Sequence, residues 1–146
     1  MNITIRVYGV LLNEGDVLIS RENYKGVDMF KFPGGGMEEG EGTKETLIRE
    51  WKEELNVEVK PEGHLYTTDF HTVSTFDTNI QVMSIYYRVS LPAEYVAKLP
   101  LDPQGTIPEN KKESFQWYPL EQLSVADFTF DTEKAAFQTL LKELNY

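Results

Sequence analysis

The stretch GGGMEEGEGTKETLIREWKEELNV, residues 34–57, decides how the chain is read. Its second half has the pattern of a helix from Thr43 to Leu55, with Thr43 as N-cap and Glu45 in the first turn, where an acid suits the helix dipole. At about 100° per residue, Leu47, Ile48, Trp51 and Leu55 fall on one apolar stripe that needs a sheet to pack on. Asn56 follows, a residue that tolerates the left-handed conformation that ends helices. The last turns nevertheless carry Glu50, Glu53 and Glu54. A helix C-terminus favours cations, and like charges four residues apart cost roughly 0.2–0.5 kcal/mol. At i, i+3 and i+4 the three carboxylates share a face and are expected to converge on one point. Oxygen donors gathered that way suit a hard divalent cation such as Mg2+. A solvated acidic face, with Arg49 pairing Glu53 one turn on, is the plain alternative.

The glycines before the helix bear on that choice. PGGGMEEGEG, residues 33–42, lets backbone approach a partner closely. It is not a Walker A loop, because Glu41 and Gly42 stand where Lys and Ser/Thr are required, and it lacks the G-x-G-x-x-G spacing of dinucleotide folds. A glycine loop studded with acids needs an intervening cation to meet a phosphate.

These residues resemble the box of the Nudix hydrolases, G-x5-E-x7-R-E-U-x-E-E-x-G-U with U a bulky apolar residue. Gly35, Glu41, Arg49, Glu50, Trp51, Glu53, Glu54 and Val57 occupy their places, and Asn56 stands for the last glycine. The 23-residue spacing is highly specific. The resemblance implies a single Nudix hydrolase domain over residues 1–146, α/β in class, built as an α/β/α sandwich with a mixed β-sheet. It implies hydrolysis of the pyrophosphate linkage of a nucleoside diphosphate joined to another moiety, with Mg2+ (or Mn2+) as cofactor. Carried over residue by residue, Glu50, Glu53 and Glu54 become metal ligands, joined by the Gly36 carbonyl. Arg49 orients a glutamate, Glu41 braces the loop against the helix, and Gly35 brings backbone to metal or phosphate. Glu53 is the first choice of base for the attacking water. Some members place the base outside the box, which makes Glu113, with Glu109 behind it, the alternative. Arg21 could reach a phosphate, and Phe70, Phe76 and Tyr24 could stack a base. His64 and His71 lack ligand spacing, and Trp51 and Trp117 read as core.

The rest of the 146 residues is consistent with that frame. ITIRVYGVLL (3–12) and VLIS (17–20) read as a hairpin across NEGD, MFKFPGGG (29–36) as a short strand, and VEVK (57–60) and LYTTDFHTV (65–73) as strands around a PEGH turn. IQVMSIYYRVSL (80–91) is the strongest strand pattern, SFQWYPLEQL (114–123) a strand running into a turn, and DTEKAAFQTLLKELNY (131–146) a helix capped by Asp131 or Thr132. Residues 91–113 hold four of the seven prolines and read as a loop, with Pro92 opening a helical turn. A net charge of −10 argues against nucleic-acid polymers and anionic membrane surfaces as partners, leaving a small-molecule nucleotide. The absence of cysteine excludes disulfides and thiolate metal sites, and no signal-peptide pattern opens the chain, so a cytoplasmic location is the default expectation. A homodimer is left open. Two rival functions remain, a catalytically silent nucleotide-binding domain and an isomerase on the same scaffold. The intact box acids disfavour the first.

Overall fold

Strand β1 (Asn2–Asn13) buries residues on both faces, Val7 and Leu11 on one and Tyr8 and Val10 on the other. A strand covered on both sides belongs between layers, and that is its place in the computed structural model, which describes residues 2–102 and 113–146. The other strands are β2 (Asp16–Tyr24), β3 (Val27–Lys31), β4 (Gly34–Gly36), β5 (Lys60–Thr67), β6 (Ile80–Ser90) and β7 (Glu113–Pro119). They form one sheet in the order β3-β2-β1-β6-β5, with β4 added to β1 and β7 to β2. The β1–β6 pair is parallel and the others antiparallel, so the sheet is mixed. Helix α1 (Thr43–Leu55) covers one face through Leu47, Trp51 and Leu55, which pack with Val7, Leu11, Leu18 and Phe115. Helix α3 (Asp131–Glu143) covers the other, where Ala136, Phe137 and Leu140 meet Tyr8, Val10, Ile19, Phe32 and Phe128. The result is the expected α/β/α sandwich. No helix of the described residues is long and apolar enough to cross a membrane.

Several local expectations change. The PEGH segment is not a turn: β5 runs through it, with irregular register between Pro61 and Gly63 and between His64 and Tyr66 that absorbs both residues poorly suited to a regular ladder. Residues 57–59 and 68–73 are not strands, and the latter keep a single bridge, Val73 to Gln81. The glycine run is not only a loop, since Gly34–Gly36 is strand β4, with Gly36 opposite Arg6, Gly35 opposite Val7 and Gly34 opposite Tyr8. Strands β2 and β3 are joined through Lys25-Gly26 alone, both at positive φ, as two-residue hairpins demand. Phe130 rather than Asp131 or Thr132 precedes α3, and it provides no side-chain cap. Pro92 does open a short helix, α2 (Ala93–Val96).

Candidate active site

Helix α1 is fixed to the glycine segment before its acids are considered. The Trp51 indole donates to the Pro33 carbonyl at 3.1 Å, and the Gly9 amide donates to the same oxygen at 2.9 Å. Gly42, not Thr43, is the N-cap; its amide is held by the Glu45 carboxylate at 2.9 Å, the half of a capping box that a glycine permits. Ile48 lies off the expected stripe and is 39% exposed, while Thr46 is buried in its place and bonds Glu41 at 3.0 Å. Asn56 ends the helix at φ 55°, the left-handed conformation that its side chain tolerates.

Arg49 is the centre of one half of the site. Its Nε and Nη2 grip the two oxygens of Glu41 at 2.5 and 3.0 Å, Nη2 also donates to the Gly36 carbonyl at 2.9 Å, and Nη1 reaches Glu50 at 3.0 Å and Glu53 at 3.3 Å. The two-armed contact uses the planar fork that a lysine lacks. The Arg49 hydrogen bonds, with a second from the Glu38 amide, hold the Glu41 carboxyl down at about 2, and Glu41 in turn raises the guanidinium. The brace expected of Glu41, through Arg49, is therefore present as geometry.

The three glutamates do not converge on one point, and among the described residues no three acids or imidazoles are gathered closely enough to hold a metal ion together. Helical rotation explains it: from Glu50, position 54 turns by about 40° and position 53 by about 300°, so Glu50 and Glu54 lean toward the sheet and Glu53 trails into solvent. Glu50 lies flat over β4, where a Cβ on Gly35 would stand 2.5 Å from both of its oxygens. Only a glycine leaves that space. Glu53 is 59% exposed and pairs with Arg49.

Glu54 belongs to the other half. Burial first, then the nearby Glu113 charge, pushes its carboxyl up to about 8, and its Oε2 is buried with no hydrogen-bond partner among the described residues. Glu113 is not a loop acid but the first residue of β7, directly opposite Glu22 of β2. Like charges facing each other across strands destabilise a sheet; Lys31 answers both, with Nζ 3.4 Å from Glu22 and 3.7 Å from Glu113. Ser20 donates to Glu113 at 2.6 Å. Burial raises the Glu113 carboxyl, partly offset by Lys31 and Ser20. Burial alone would lower the Lys31 ammonium, but Tyr8, Glu113, Glu22 and Glu54 outweigh it and the net shift is upward.

Beside this half lies a cavity of about 360 Å³, lined by Arg6, Tyr8, Lys31, Ser84, Thr132 and Glu133 among others. Tyr24 and Phe76, expected as stacking candidates, stand on its wall with ring centroids 4.9 Å apart, edge to face. Phe70 does not line it and is 41% exposed. Arg21 is also elsewhere: strand alternation sends Ser20 and Glu22 toward Glu113 and Arg21 to the opposite face, where it pairs with Asp28 at 2.7 Å and lies over Phe30. His64 bonds Thr67 at 2.7 Å, and Glu109 falls outside the described residues. Sequence reading missed Arg6, Lys31 and Glu133. Each is a charge in phase with buried residues, Arg6 with Tyr8, Lys31 with Met29, and Glu133 with Ala136, Phe137 and Leu140, and that phase was a readable signal.

A family model described as the NUDIX domain matches residues 3–140. No curated protein matches the chain. Among solved structures, the chain is similar to the MutT protein from Methanosarcina mazei Go1, at 19% identity and a TM-score of 0.72 over 99% of this chain and 97% of that one. It is similar to DNA mismatch repair protein MutT, family Nudix hydrolase, from methicillin-resistant Staphylococcus aureus 252, at 22% identity and a TM-score of 0.66 over 98% and 99%. A UDP-X diphosphatase is matched at 19% identity and a TM-score of 0.65 over 99% of this chain and 64% of that one. These likenesses speak to the fold. A family model spanning nearly all of the chain, on a sandwich whose helix carries Glu50, Glu53 and Glu54, establishes that the protein belongs to the Nudix family.

Proposed function

We propose that the protein is a Mg2+-dependent (or Mn2+-dependent) pyrophosphohydrolase that splits a nucleoside diphosphate linked to another moiety, a nucleoside triphosphate or a nucleotide sugar. The observation that carries this reading is Glu54: a buried carboxylate oxygen without a donor among the described residues, on the same helix as Glu50 and Glu53. An all-oxygen donor set fits a hard cation, and an orphaned carboxylate in a cluster of acids gains most from one. In the structure the three side chains point apart; Glu50, Glu53 and Glu54 would hold the ion once they turn toward one another, with the Gly36 carbonyl as a further donor. When bound, the ion supplies neutralisation of pyrophosphate charge and activation of water.

The chain's own residues then have separate tasks. Arg49 fixes the Gly36 carbonyl and orients Glu50 and Glu53 through one guanidinium. Gly35 keeps the space in which Glu50 lies. Glu53, open to solvent, accepts the proton of the attacking water. The cavity receives the organic moiety, with Tyr24 and Phe76 as its aromatic wall. The name of one fold relative, a UDP-X diphosphatase, is in keeping with a nucleoside diphosphate linked to another moiety. A silent binding domain is disfavoured because no box acid is missing. Glu113 is the rival base, favoured by its raised carboxyl and opposed by its bonds to Ser20 and Lys31.

The test measures kcat on a panel of nucleotide anhydrides for wild type, Glu53→Gln and Glu113→Gln. The expected result is a fall of roughly 10²-fold or more for Glu53→Gln, the scale of lost general-base catalysis, with a smaller effect at Glu113. A Glu53→Gln enzyme near wild-type rate beside a dead Glu113→Gln would move the base to Glu113.

A further inference from the structure

Arg6 stands where the acidic helix and the cavity meet. On β1 it is opposite Gly36 on one side and Ser84 on the other. Its Nε donates to the Tyr8 hydroxyl at 2.6 Å, and its guanidinium carbon lies 5.7 Å from the Tyr8 ring centroid. Tyr8 is itself immobilised, buried and stacked on Tyr86 at 5.3 Å. One edge of the guanidinium is therefore committed to a rigid support. The terminal nitrogens, Nη1 and Nη2, make no hydrogen bond to the described residues. They face two things at once. Nη1 is 3.6 Å from the place a Cβ would take on Gly36, so it lies against the strand that carries Gly35 under Glu50. The same side chain also lines the cavity.

Glu50 and Glu133 both favour the charge on Arg6, yet neither forms an ion pair with it. A guanidinium held by one edge, with its fork unspent, is built to take a planar or tetrahedral oxyanion. We propose that Arg6 binds a phosphate of the substrate at the junction between Gly36 and the cavity, and so sets which end of the molecule enters the cavity. The proposal deepens the pyrophosphohydrolase reading and rests on it for the identity of the anion. Arg6 acts here as a substrate-binding and positioning residue; the bond-breaking chemistry stays with the helix.

The experiment titrates wild type, Arg6→Gln and Arg6→Lys with AMP, GMP, CMP and UMP and with the four matching nucleosides, in EDTA, following intrinsic fluorescence. At least one monophosphate is expected to bind wild type more tightly than its nucleoside. Arg6→Gln should lose that advantage by roughly tenfold or more, the scale of a hydrogen bond to a charged group, while nucleoside affinity stays put. Arg6→Lys should recover only part of it, because an ammonium lacks the fork. A purely structural role would weaken nucleoside and monophosphate alike, and that result overturns the proposal. So does a wild type with no preference for the monophosphate, or an Arg6→Gln variant that keeps it. If wild type hydrolyses no anhydride while Arg6→Gln still loses the phosphate advantage, the hydrolase reading falls and the phosphate site stands.

Discussion

Replacing Glu133 with glutamine removes a charge that the interior holds at a cost. Glu133 is 1% exposed on the apolar stripe of α3, and its Oε2 has no geometrically placed hydrogen-bond donor among the described residues. Burial pushes its carboxyl from an ordinary value near 4.5 up to about 7, although Lys31, the Tyr86 hydroxyl, Arg6 and the Phe32 amide pull the other way. The groups facing it include these two cations and the Tyr8 and Tyr86 phenols, and both phenols are raised well into the alkaline range by burial. The folded form thus keeps a proton that the unfolded chain has already lost, so the contribution to stability falls as pH rises from about 4.5 through about 7 and is level above. At 1.36 kcal/mol per pKa unit, the gap between 4.5 and about 7 comes to about 3 kcal/mol at alkaline pH. At pH 5 most of that cost has not yet developed. Urea unfolding of wild type and Glu133→Gln at pH 5 and pH 8.5 isolates this group, because the other buried acids are common to both. The advantage of the variant should grow by about 2–3 kcal/mol between the two conditions, or roughly 6–10 °C in Tm for a domain of this size. An advantage that is the same at both pH values would refute the reasoning, since it would mean that Glu133 titrates alike in the folded and unfolded chain.

Two further outcomes follow from the half of the site built on Arg49. Arg49→Lys keeps the charge but cannot grip both oxygens of Glu41 or reach Gly36, Glu50 and Glu53 together; kcat should fall roughly 10–100-fold, as when metal-ligand supports are lost, with circular dichroism unchanged, and an unaltered rate would remove Arg49 from the mechanism. Gly35→Ala places a Cβ 2.5 Å from both Glu50 oxygens, so Glu50 must move; Mn2+ affinity measured by electron paramagnetic resonance should drop roughly 10–100-fold, and wild-type affinity would show that Glu50 is not a ligand in that position.

Local geometry was legible wherever it depended on spacing along one element. Helix α1, its end at Asn56 and the Arg49–Glu41 contact all follow from the box, because i, i+4 neighbours and a fixed loop length leave little freedom. What the box could not convey was rotation about the helix axis in contact with a sheet, which divides Glu54 from Glu53 and hands it to Lys31 and Glu113. Residues brought together from far apart were beyond spacing altogether: Glu22 and Glu113 meet only because β7 pairs with β2. Arg21 was misplaced for the simplest reason, a strand period of two that points it away from its neighbours Ser20 and Glu22. The PEGH turn failed because pairing with β6 outweighed the local preference of Pro61 and Gly63.

The central claim is that the α1 carboxylates make this fold a metal-dependent pyrophosphohydrolase. Its most direct test is the rate of hydrolysis across a panel of nucleoside triphosphates and nucleotide sugars as Mg2+ is titrated, in wild type and in Glu54→Gln. Turnover of at least one member should rise saturably with Mg2+, vanish in EDTA and be lost in the folded Glu54→Gln variant. Turnover that is independent of metal, or that survives in Glu54→Gln at the wild-type Mg2+ dependence, would contradict it.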